Sequence, residues 1–404
     1  MDQCLSPYNW LGIEIGLPPE VILCDVTMRD GEKTPGVAFT LAEKIELAKE
    51  LEAIGVPQIQ VGVPGSSKNA RQEVEAICQL GLASKTEAMT RGTYEGWQND
   101  IEAALSCGAD ILHSYLPMSP YIRSMYAPLS DEQMLQRADH IIQHAQKWGA
   151  KIINISLLDA TRAEENFLWA MIRRVAEKGV DRIRIADTVG TATPEGIFYL
   201  IRRVREAVDH LKKRPLVGLH CHNDFGLALA NVFAGVKAGA TLIDVSVNGL
   251  GERSGNPSLA EVAIGLEILY KVKTHIRLDR LYDLAKLVER ISGLPIPTNK
   301  PLVGEYVFAD ESDAHVAAIL KEPFAFQGVR PELLGNKRKF VIGKSTGPHV
   351  LNLKSKELGL NVSQDLYPKI MEGIREKSEK RKGKILTDEE LIEVIEVIKG
   401  QFPR

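Results

Sequence analysis

Two histidines separated by a single residue, His220 and His222, follow an apolar run at residues 215–217. Alternate side chains of a strand leave the same face, so both imidazoles can converge on one cation. Neutral imidazole is the commonest metal ligand among side chains. Two buried histidines can also be purely structural, but Asn223 and Asp224 directly after them favour a metal site.

A second polar pair, Arg29 and Asp30, ends the first apolar run of the chain at residues 21–28. A carboxylate together with His220 and His222 is a ligand set that suits a divalent ion with open coordination positions. Such an ion can polarise a carbonyl group. The guanidinium of Arg29 can bind a carboxylate or a developing oxyanion. Taken alone, Asp30 is as compatible with a turn and Arg29 with a surface ion pair, so the hypothesis requires that they meet the histidines.

The elements that would bring these residues together form a regular alternation of apolar runs and helical patterns. The predicted strands are residues 21–28, 58–63, 82–89, 110–116, 151–158, 182–188, 216–222 and 242–248. Two capping boxes open helices between them, and six glycines stand where helices should end: Thr40 with Glu43, Ser130 with Gln133, and Gly55, Gly81, Gly108, Gly149, Gly179 and Gly239. Eight such units in about 250 residues predict a (β/α)8 TIM barrel. An open doubly wound sheet is the alternative, although no Gly-x-Gly-x-x-Gly follows the first strand.

In a TIM barrel the reacting groups lie where the strands end. The polar residues at the predicted strand ends are Arg29, Asp30, His113, Asn154, Ser156, Asp159, Asp187, Thr188, His220, His222 and Asn248, followed by Glu252 in the last loop. We therefore expect an active site at this face of the barrel.

The pattern divides the chain into four segments. We predict an N-terminal arm at residues 1–20 and the catalytic barrel at residues 21–273. A linker and a small mixed subdomain should follow at residues 274–330, and a mostly helical subdomain at residues 331–404.

Composition limits the classes of function. The chain has 404 residues, of which 44% are hydrophobic, and a net charge of −3. With no basic stripe, binding of nucleic acid or of a membrane surface by bulk charge is not expected. No apolar run approaches the roughly 20 residues of a spanning helix, and no signal peptide is recognisable. The five scattered cysteines resemble reduced thiols, so a cytoplasmic location is predicted.

Three motifs resemble those of a known enzyme family. Residues 25–33, 220–226 and 249–256 resemble signatures of the isopropylmalate, homocitrate, citramalate and Re-type citrate synthases, and residues 187–190 and 309–315 also match. The resemblance runs from about residue 21 to residue 350. It implies a barrel enzyme with one divalent metal ion (Mg, Mn, Zn or Co) that condenses acetyl-CoA with a 2-oxo acid and then hydrolyses the thioester. Such an enzyme is an acyltransferase that converts the acyl group into an alkyl group on transfer.

The resemblance also implies roles for individual residues. Metal ligands would be Asp30, His220 and His222, with Asn256 in or near the metal shell. Arg29 and Thr188 would hold the 2-oxo acid. Glu252 and His315 would act in acid–base steps, with His315 reaching in from the partner subunit of a homodimer.

Three positions depart from the family pattern. Lys33 stands where Gln is usual, Phe326 where Tyr is often found, and Asn154 where one branch of homocitrate synthases carries Arg. A distal carboxylate of the substrate would then be recognised by another arginine, for which the candidates are Arg162, Arg91 and Arg123.

Homocitrate or Re-citrate synthesis is favoured over isopropylmalate or citramalate synthesis. An acyl-CoA or aldol lyase on the same barrel and a non-catalytic metal-binding scaffold are the remaining alternatives.

Overall fold

The computed structural model describes residues 5–10, 16–93, 95–126, 128–382 and 384–401. The chain forms two compact units, one of residues Pro7–Pro295 and one that contains Ile296–Arg404 together with the residues before Pro7. The boundary falls within residues 274–330, where the sequence predicts a linker and a small mixed subdomain. Of the predicted N-terminal arm, residues 1–4 and 11–15 lie outside the described part of the chain.

The first unit is built around a closed barrel of eight parallel strands, in which β1 pairs with both β2 and β8. The strands are β1 Ile22–Asp25, β2 Gln58–Gly62, β3 Lys85–Arg91, β4 Ile111–Pro117, β5 Ile152–Leu158, β6 Arg182–Asp187, β7 Leu216–Cys221 and β8 Leu242–Val245. Each overlaps its predicted range. The TIM-barrel prediction is therefore confirmed, and the open doubly wound alternative is wrong.

Helices follow the strands in the order that the sequence predicts. Those of the first unit are α1 Leu41–Ala53, α2 Lys68–Cys78, α3 Trp97–Ser106, α4 Pro120–Tyr126, α5 Asp131–Lys147, α6 Glu165–Glu177, α7 Pro194–Val208, α8 Ala228–Lys237, α9 Leu259–Ile264 and α10 Leu281–Ser292. Both predicted capping boxes are present, at Thr40 with Glu43 and at Ser130 with Gln133. The six predicted helix-ending glycines all have positive φ, a conformation that disfavours residues with a Cβ atom.

The interior of the barrel is polar, whereas the layer between strands and helices is apolar. Arg184 of β6 contacts Glu87 of β3, His113 of β4 and Asp244 of β8. None of these three strands is a neighbour of β6, so the contacts must cross the barrel interior. Ile183 and Ile185, which alternate with Arg184 along β6, are fully buried.

Helix α10 belongs to the first unit and packs against α1, where Arg280 pairs with Glu50 and Arg290 with Glu46. This unit therefore extends to Pro295, beyond residue 273 where the sequence pattern places the end of the barrel domain.

The second unit is mostly helical, as predicted for the C-terminal region. Its elements are β9 Ala309–Asp310, α11 Asp313–Lys321, β10 Lys339–Phe340, α12 Pro348–Glu357, α13 Tyr367–Arg381 and α14 Asp388–Gln401. Strands β9 and β10 form a parallel pair. An apolar core that includes Val316, Val350, Ile370 and Leu391 holds its helices together. Across the described residues, no helix is both long and apolar enough to cross a membrane.

Candidate metal centre and active site

Asp30, His220 and His222 meet at one end of the barrel. Asp30 follows β1, His220 lies in β7, and His222 directly follows β7. All three are buried, and one potential ligand atom from each lies within 4.8 Å of the others. The two Nε2 atoms of the histidines are 3.2 Å apart, and His222 Nε2 is 3.9 Å from Asp30 Oδ2.

The second ring nitrogen of each histidine shows which nitrogen faces this centre. His220 Nδ1 lies 2.9 Å from Asp244 Oδ2, and His222 Nδ1 lies 3.2 Å from the Gly255 carbonyl oxygen. Carboxylate and carbonyl oxygens only accept hydrogen bonds, so both Nδ1 atoms carry the proton and both Nε2 atoms present lone pairs. The two Nε2 lone pairs face each other beside the Asp30 carboxylate. A divalent cation bound by all three groups would stabilise this arrangement.

The protonation state of His222 fits the same interpretation. Burial and the neighbouring His220 lower the pKa of His222 to about 4. The ring is therefore neutral near pH 7, which is the form that binds a metal.

Asn256 lies against the same centre. Its Nδ2 atom donates to Asp30 Oδ2 at 2.7 Å and to the Leu250 carbonyl oxygen at 3.0 Å. Its Oδ1 atom is buried and has no hydrogen-bond partner among the described residues. A Cβ atom at Gly251 would overlap the Asn256 amide, so the loop needs glycine there. An unpaired amide oxygen beside the ligand set is what a further metal contact would use.

Two cations neutralise Asp30. Arg29 Nη1 lies 2.5 Å and Lys33 Nζ 3.4 Å from Asp30 Oδ1. Burial alone would raise the pKa of Asp30, but Arg29, His220 and Lys33 together hold it well below its ordinary value. Arg29 Nε also donates to Gln60 Oε1 at 2.5 Å, so the guanidinium is fixed in orientation.

A cavity of about 210 Å³ opens beside this centre. Of the predicted site residues, it is lined by Arg29, His113, Ser156, Thr188, His220 and Glu252. The structure therefore brings together residues from six separate strand ends and their loops.

His113 lines this cavity. Its Nδ1 atom lies 2.8 Å from Glu87 Oε1 and 3.0 Å from Arg184 Nη1, whereas its buried Nε2 atom has no partner among the described residues. Burial lowers the pKa of His113, so the ring is neutral near pH 7.

Other predicted residues lie away from the cavity. Asn154 is fully buried and donates to Glu87 Oε2 at 3.2 Å. Arg162 Nη2 is 2.7 Å from Asp159 Oδ2, and its guanidinium lies over the ring of Tyr121. Arg91 and Arg123 are likewise paired, with Asp100 and Asp131. None of these four described side chains lines the cavity, so their contact with substrate stays a prediction.

His315 lies in the second unit on α11. It is exposed and stacks on the ring of Phe326, with the centroids 3.9 Å apart. Its acid–base role also stays a prediction.

The structure adds three residues that sequence reasoning missed. Glu87 Oε1 pairs with Arg184 Nη1 at 2.7 Å, Arg184 Nη2 with Asp244 Oδ1 at 3.2 Å, and Asp244 Oδ2 holds His220. This buried chain of charges runs from the barrel interior to a candidate metal ligand. Its only sequence signal is the presence of charged residues inside apolar strands.

A second set of charges lies on the rim of the cavity. Lys33 Nζ is 2.6 Å from Glu252 Oε1, Glu252 Oε2 is 3.2 Å from Arg253 Nη1, and Arg253 Nε is 2.7 Å from Asp224 Oδ1. Burial raises the pKa of Glu252, but Lys33 lowers it by more, so the carboxylate is ionised near pH 7.

Two protein-family profiles match the chain. The profile of the HMGL-like family matches residues 20–288, and the profile described as homocitrate synthase post-HMGL domain-like matches residues 302–382.

The chain is similar over nearly its full length to several named synthases. It is 36% identical over 400 residues to homocitrate synthase AksA of Methanothermobacter thermautotrophicus, covering 99% of each chain. It is 37% identical over 382 residues to a probable 2-isopropylmalate synthase of Ignicoccus hospitalis, covering 95% of this chain and 93% of the relative. It is 36% identical over 382 residues to (R)-citramalate synthase CimA of Methanocaldococcus jannaschii, covering 95% of this chain and 75% of the relative.

Among solved structures, the HMG-CoA lyase of Bacillus subtilis superposes with a TM-score of 0.59 at 22% identity. The match covers 70% of this chain and 98% of the lyase. At this identity the likeness shows the barrel fold alone.

Proposed function

The chain belongs to the HMGL-like family, and we propose that it is a metal-dependent synthase that condenses acetyl-CoA with a 2-oxo acid and then hydrolyses the thioester. In chemical terms it is an acyltransferase that turns the acyl group into an alkyl group on transfer. The names of its relatives support this reaction. The observation that carries the proposal is the convergence of Asp30, His220 and His222 beside the fixed guanidinium of Arg29.

The resident cofactor would be one divalent ion held by Asp30, His220 and His222, with Asn256 Oδ1 beside it. Mixed carboxylate and imidazole ligands suit Mg, Mn, Zn or Co. When bound, such an ion supplies Lewis-acid polarisation of a substrate carbonyl.

Residues of the chain carry out the other steps of the proposed reaction. Arg29 binds the negative charge that develops on the 2-oxo oxygen. Glu252, which is ionised, takes a proton from the methyl group of acetyl-CoA. The resulting carbon nucleophile forms a bond to the 2-oxo carbon, and the carbonyl oxygen there becomes an alkoxide. Attack of water on the thioester then releases CoA and a new carboxylate.

Among 2-oxo acids we favour one with a second carboxylate, as in homocitrate or Re-citrate synthesis. His113 and Ser156 line the cavity, and the Ser156 hydroxyl can donate to a distal carboxylate. An apolar side chain, such as that of 2-oxoisovalerate, would leave the Ser156 hydroxyl without this partner. Isopropylmalate and citramalate synthesis are the alternatives, since relatives with those names are equally similar.

A substrate panel tests the reaction and its specificity together. The metal-loaded protein is given acetyl-CoA with 2-oxoglutarate, oxaloacetate, pyruvate or 2-oxoisovalerate, and release of the CoA thiol is followed. We expect the largest kcat/KM with a dicarboxylic 2-oxo acid. A preference for 2-oxoisovalerate or pyruvate would overturn the specificity proposal but not the reaction.

The same preparation also tests the lyase alternative. Cleavage of 3-hydroxy-3-methylglutaryl-CoA without any condensation in the panel would replace the synthase proposal with that of a lyase.

We further propose that the protein is a homodimer with shared active sites, in which His315 serves the barrel of the partner subunit. The resemblance of residues 309–315 to the family motif supports this assignment.

A further inference from the structure

Lys33 lines the cavity, and the proposed reaction gives it no role. We propose that Lys33 is a further catalytic residue whose ammonium binds the thioester oxygen of acetyl-CoA and stabilises the enolate. This inference rests on the condensation proposed above and assigns a residue to its proton-transfer step.

The two cations beside Asp30 occupy different environments. The side chain of Arg29 is only 7% exposed and is held by Gln60 and Asp30, whereas the side chain of Lys33 is 46% exposed. Lys33 and Glu252 both line the cavity. Arg29 is therefore fixed and buried beside Asp30, whereas Lys33 lies at the solvent-exposed rim.

The partner of Lys33 is the proposed base. Lys33 Nζ lies 2.6 Å from Glu252 Oε1, so a cation and a carboxylate stand next to each other on the rim. Proton removal from an acetyl thioester needs this combination, with the base at the methyl hydrogen and a positive group at the carbonyl oxygen. An acetyl group placed against this pair in the cavity would face both side chains.

The step balances in atoms and electrons. Glu252 accepts a proton from the methyl carbon, and the electron pair of the broken C–H bond forms a C=C bond. The electron pair of the C=O double bond moves onto the oxygen, where the Lys33 ammonium stabilises it. When the methylene carbon bonds to the 2-oxo carbon, the C=O double bond forms again and the proton remains on Glu252.

The structural alternative is that Lys33 only neutralises Asp30 and Glu252. Lys33→Met removes the charge while keeping much of the side-chain length, and Lys33→Arg keeps the charge. Both variants would be prepared as the full-length, metal-loaded protein, with Lys49→Met on the exposed surface of α1 as the matched control.

With saturating acetyl-CoA and the preferred 2-oxo acid, we expect Lys33→Met to lower kcat by about 10²-fold, as loss of an oxyanion donor does. Its KM for the 2-oxo acid should change little. The isotope effect on kcat with methyl-deuterated acetyl-CoA should rise above that of the wild type, because proton removal becomes slower. Lys33→Arg should recover part of the rate, and Lys49→Met should match the wild type.

An unchanged kcat in Lys33→Met would overturn the inference about Lys33. The proposed synthase reaction would still stand if the wild type released CoA in the substrate panel. A lowered rate with an unchanged isotope effect would also overturn it and assign Lys33 a structural role. Thermal unfolding and metal content of each variant separate these outcomes from misfolding. A wild type that condenses no 2-oxo acid would instead refute the proposed function and this inference with it.

Discussion

At the scale of single residues, Asp244 decides which nitrogen of His220 is available to a metal. Because its carboxylate can only accept, Nδ1 keeps the proton and Nε2 keeps the lone pair. In Asp244→Asn the amide can donate to Nδ1 instead, which moves the proton to Nε2. We expect metal affinity to fall about 10- to 100-fold, as for other residues that orient metal ligands.

Titration of the metal-free variant with Zn²⁺ or Mn²⁺ measures this change directly. Asp279→Asn, at an exposed position paired with Arg277, is the matched control and should bind as the wild type does. His222→Ala, which removes a proposed ligand, should lose bound metal altogether. Equal affinities in Asp244→Asn and the wild type would show that Asp244 does not position His220.

A substitution of Arg29 tests whether its guanidinium stabilises the developing oxyanion. Its guanidinium donates to Gln60 through Nε and to Asp30 through Nη1, and a lysine ammonium cannot reproduce that planar geometry. We expect Arg29→Lys to reduce kcat by about 10²-fold in the CoA-release assay. A near-normal rate at an unchanged metal content would place Arg29 outside the reacting centre.

The sequence predicted the site residues that lie at strand ends. It did not predict the charged residues within strands, whose partners lie across the barrel interior. His220, His222 and Asp30 stand out because polar residues follow apolar runs there. Glu87, Arg184 and Asp244 lie within strands, and their partners are on strands that are distant in the chain. Arg182 and Arg184 occupy alternate positions of β6 and therefore leave the same face of the strand. Only closure of the barrel shows which charges they meet.

At the scale of elements, the capping box of α1 makes a measurable contribution to stability. The Thr40 hydroxyl accepts from the Glu43 backbone N–H, and the Glu43 carboxylate accepts from the Thr40 N–H. Thr40→Ala removes the first of these interactions from an exposed position. We expect the free energy of unfolding of the first unit to fall by about 1 kcal/mol.

Chemical denaturation of the full chain measures this loss, and Thr40→Ser, which retains the hydroxyl, is the control. Activity at 25 °C should stay unchanged, because α1 contributes no side chain to the cavity lining among the described residues. A loss of activity without a loss of stability would contradict a purely structural role for this cap.

Element types were predictable because most strands contain an apolar run and six helices of the first unit are followed by a predicted glycine with positive φ. The ends of strands were less predictable. Strand β3 occupies Lys85–Arg91 rather than residues 82–89, since its extent depends on pairing with β2 and β4 rather than on its own composition. Helix α10 is placed with the barrel unit by its buried apolar face, which includes Leu284 and Val288, and by its packing against α1; the sequence pattern shows the face but not its partner.

At the scale of the whole molecule, the central question is which barrel His315 serves. The eight-stranded barrel is closed and has its own apolar layer, so the second unit is not needed to complete its core. His315 is exposed on α11, in the unit that follows the linker. In a two-fold dimer, one chain can supply this residue to the barrel of the other.

A subunit-mixing experiment decides between the two arrangements. Arg29→Ala and His315→Ala chains, each carrying a different affinity tag, are inactive alone and are then allowed to exchange subunits. If sites are shared, each mixed dimer combines the intact barrel of one chain with the intact His315 of the other. Complete exchange makes half of the dimers mixed, and each has one working site of two, so about a quarter of wild-type activity should return. Double-tag purification verifies the exchange, and mixing two differently tagged Arg29→Ala chains is the control. Verified mixed dimers that stay as inactive as their parents would show that His315 serves its own barrel.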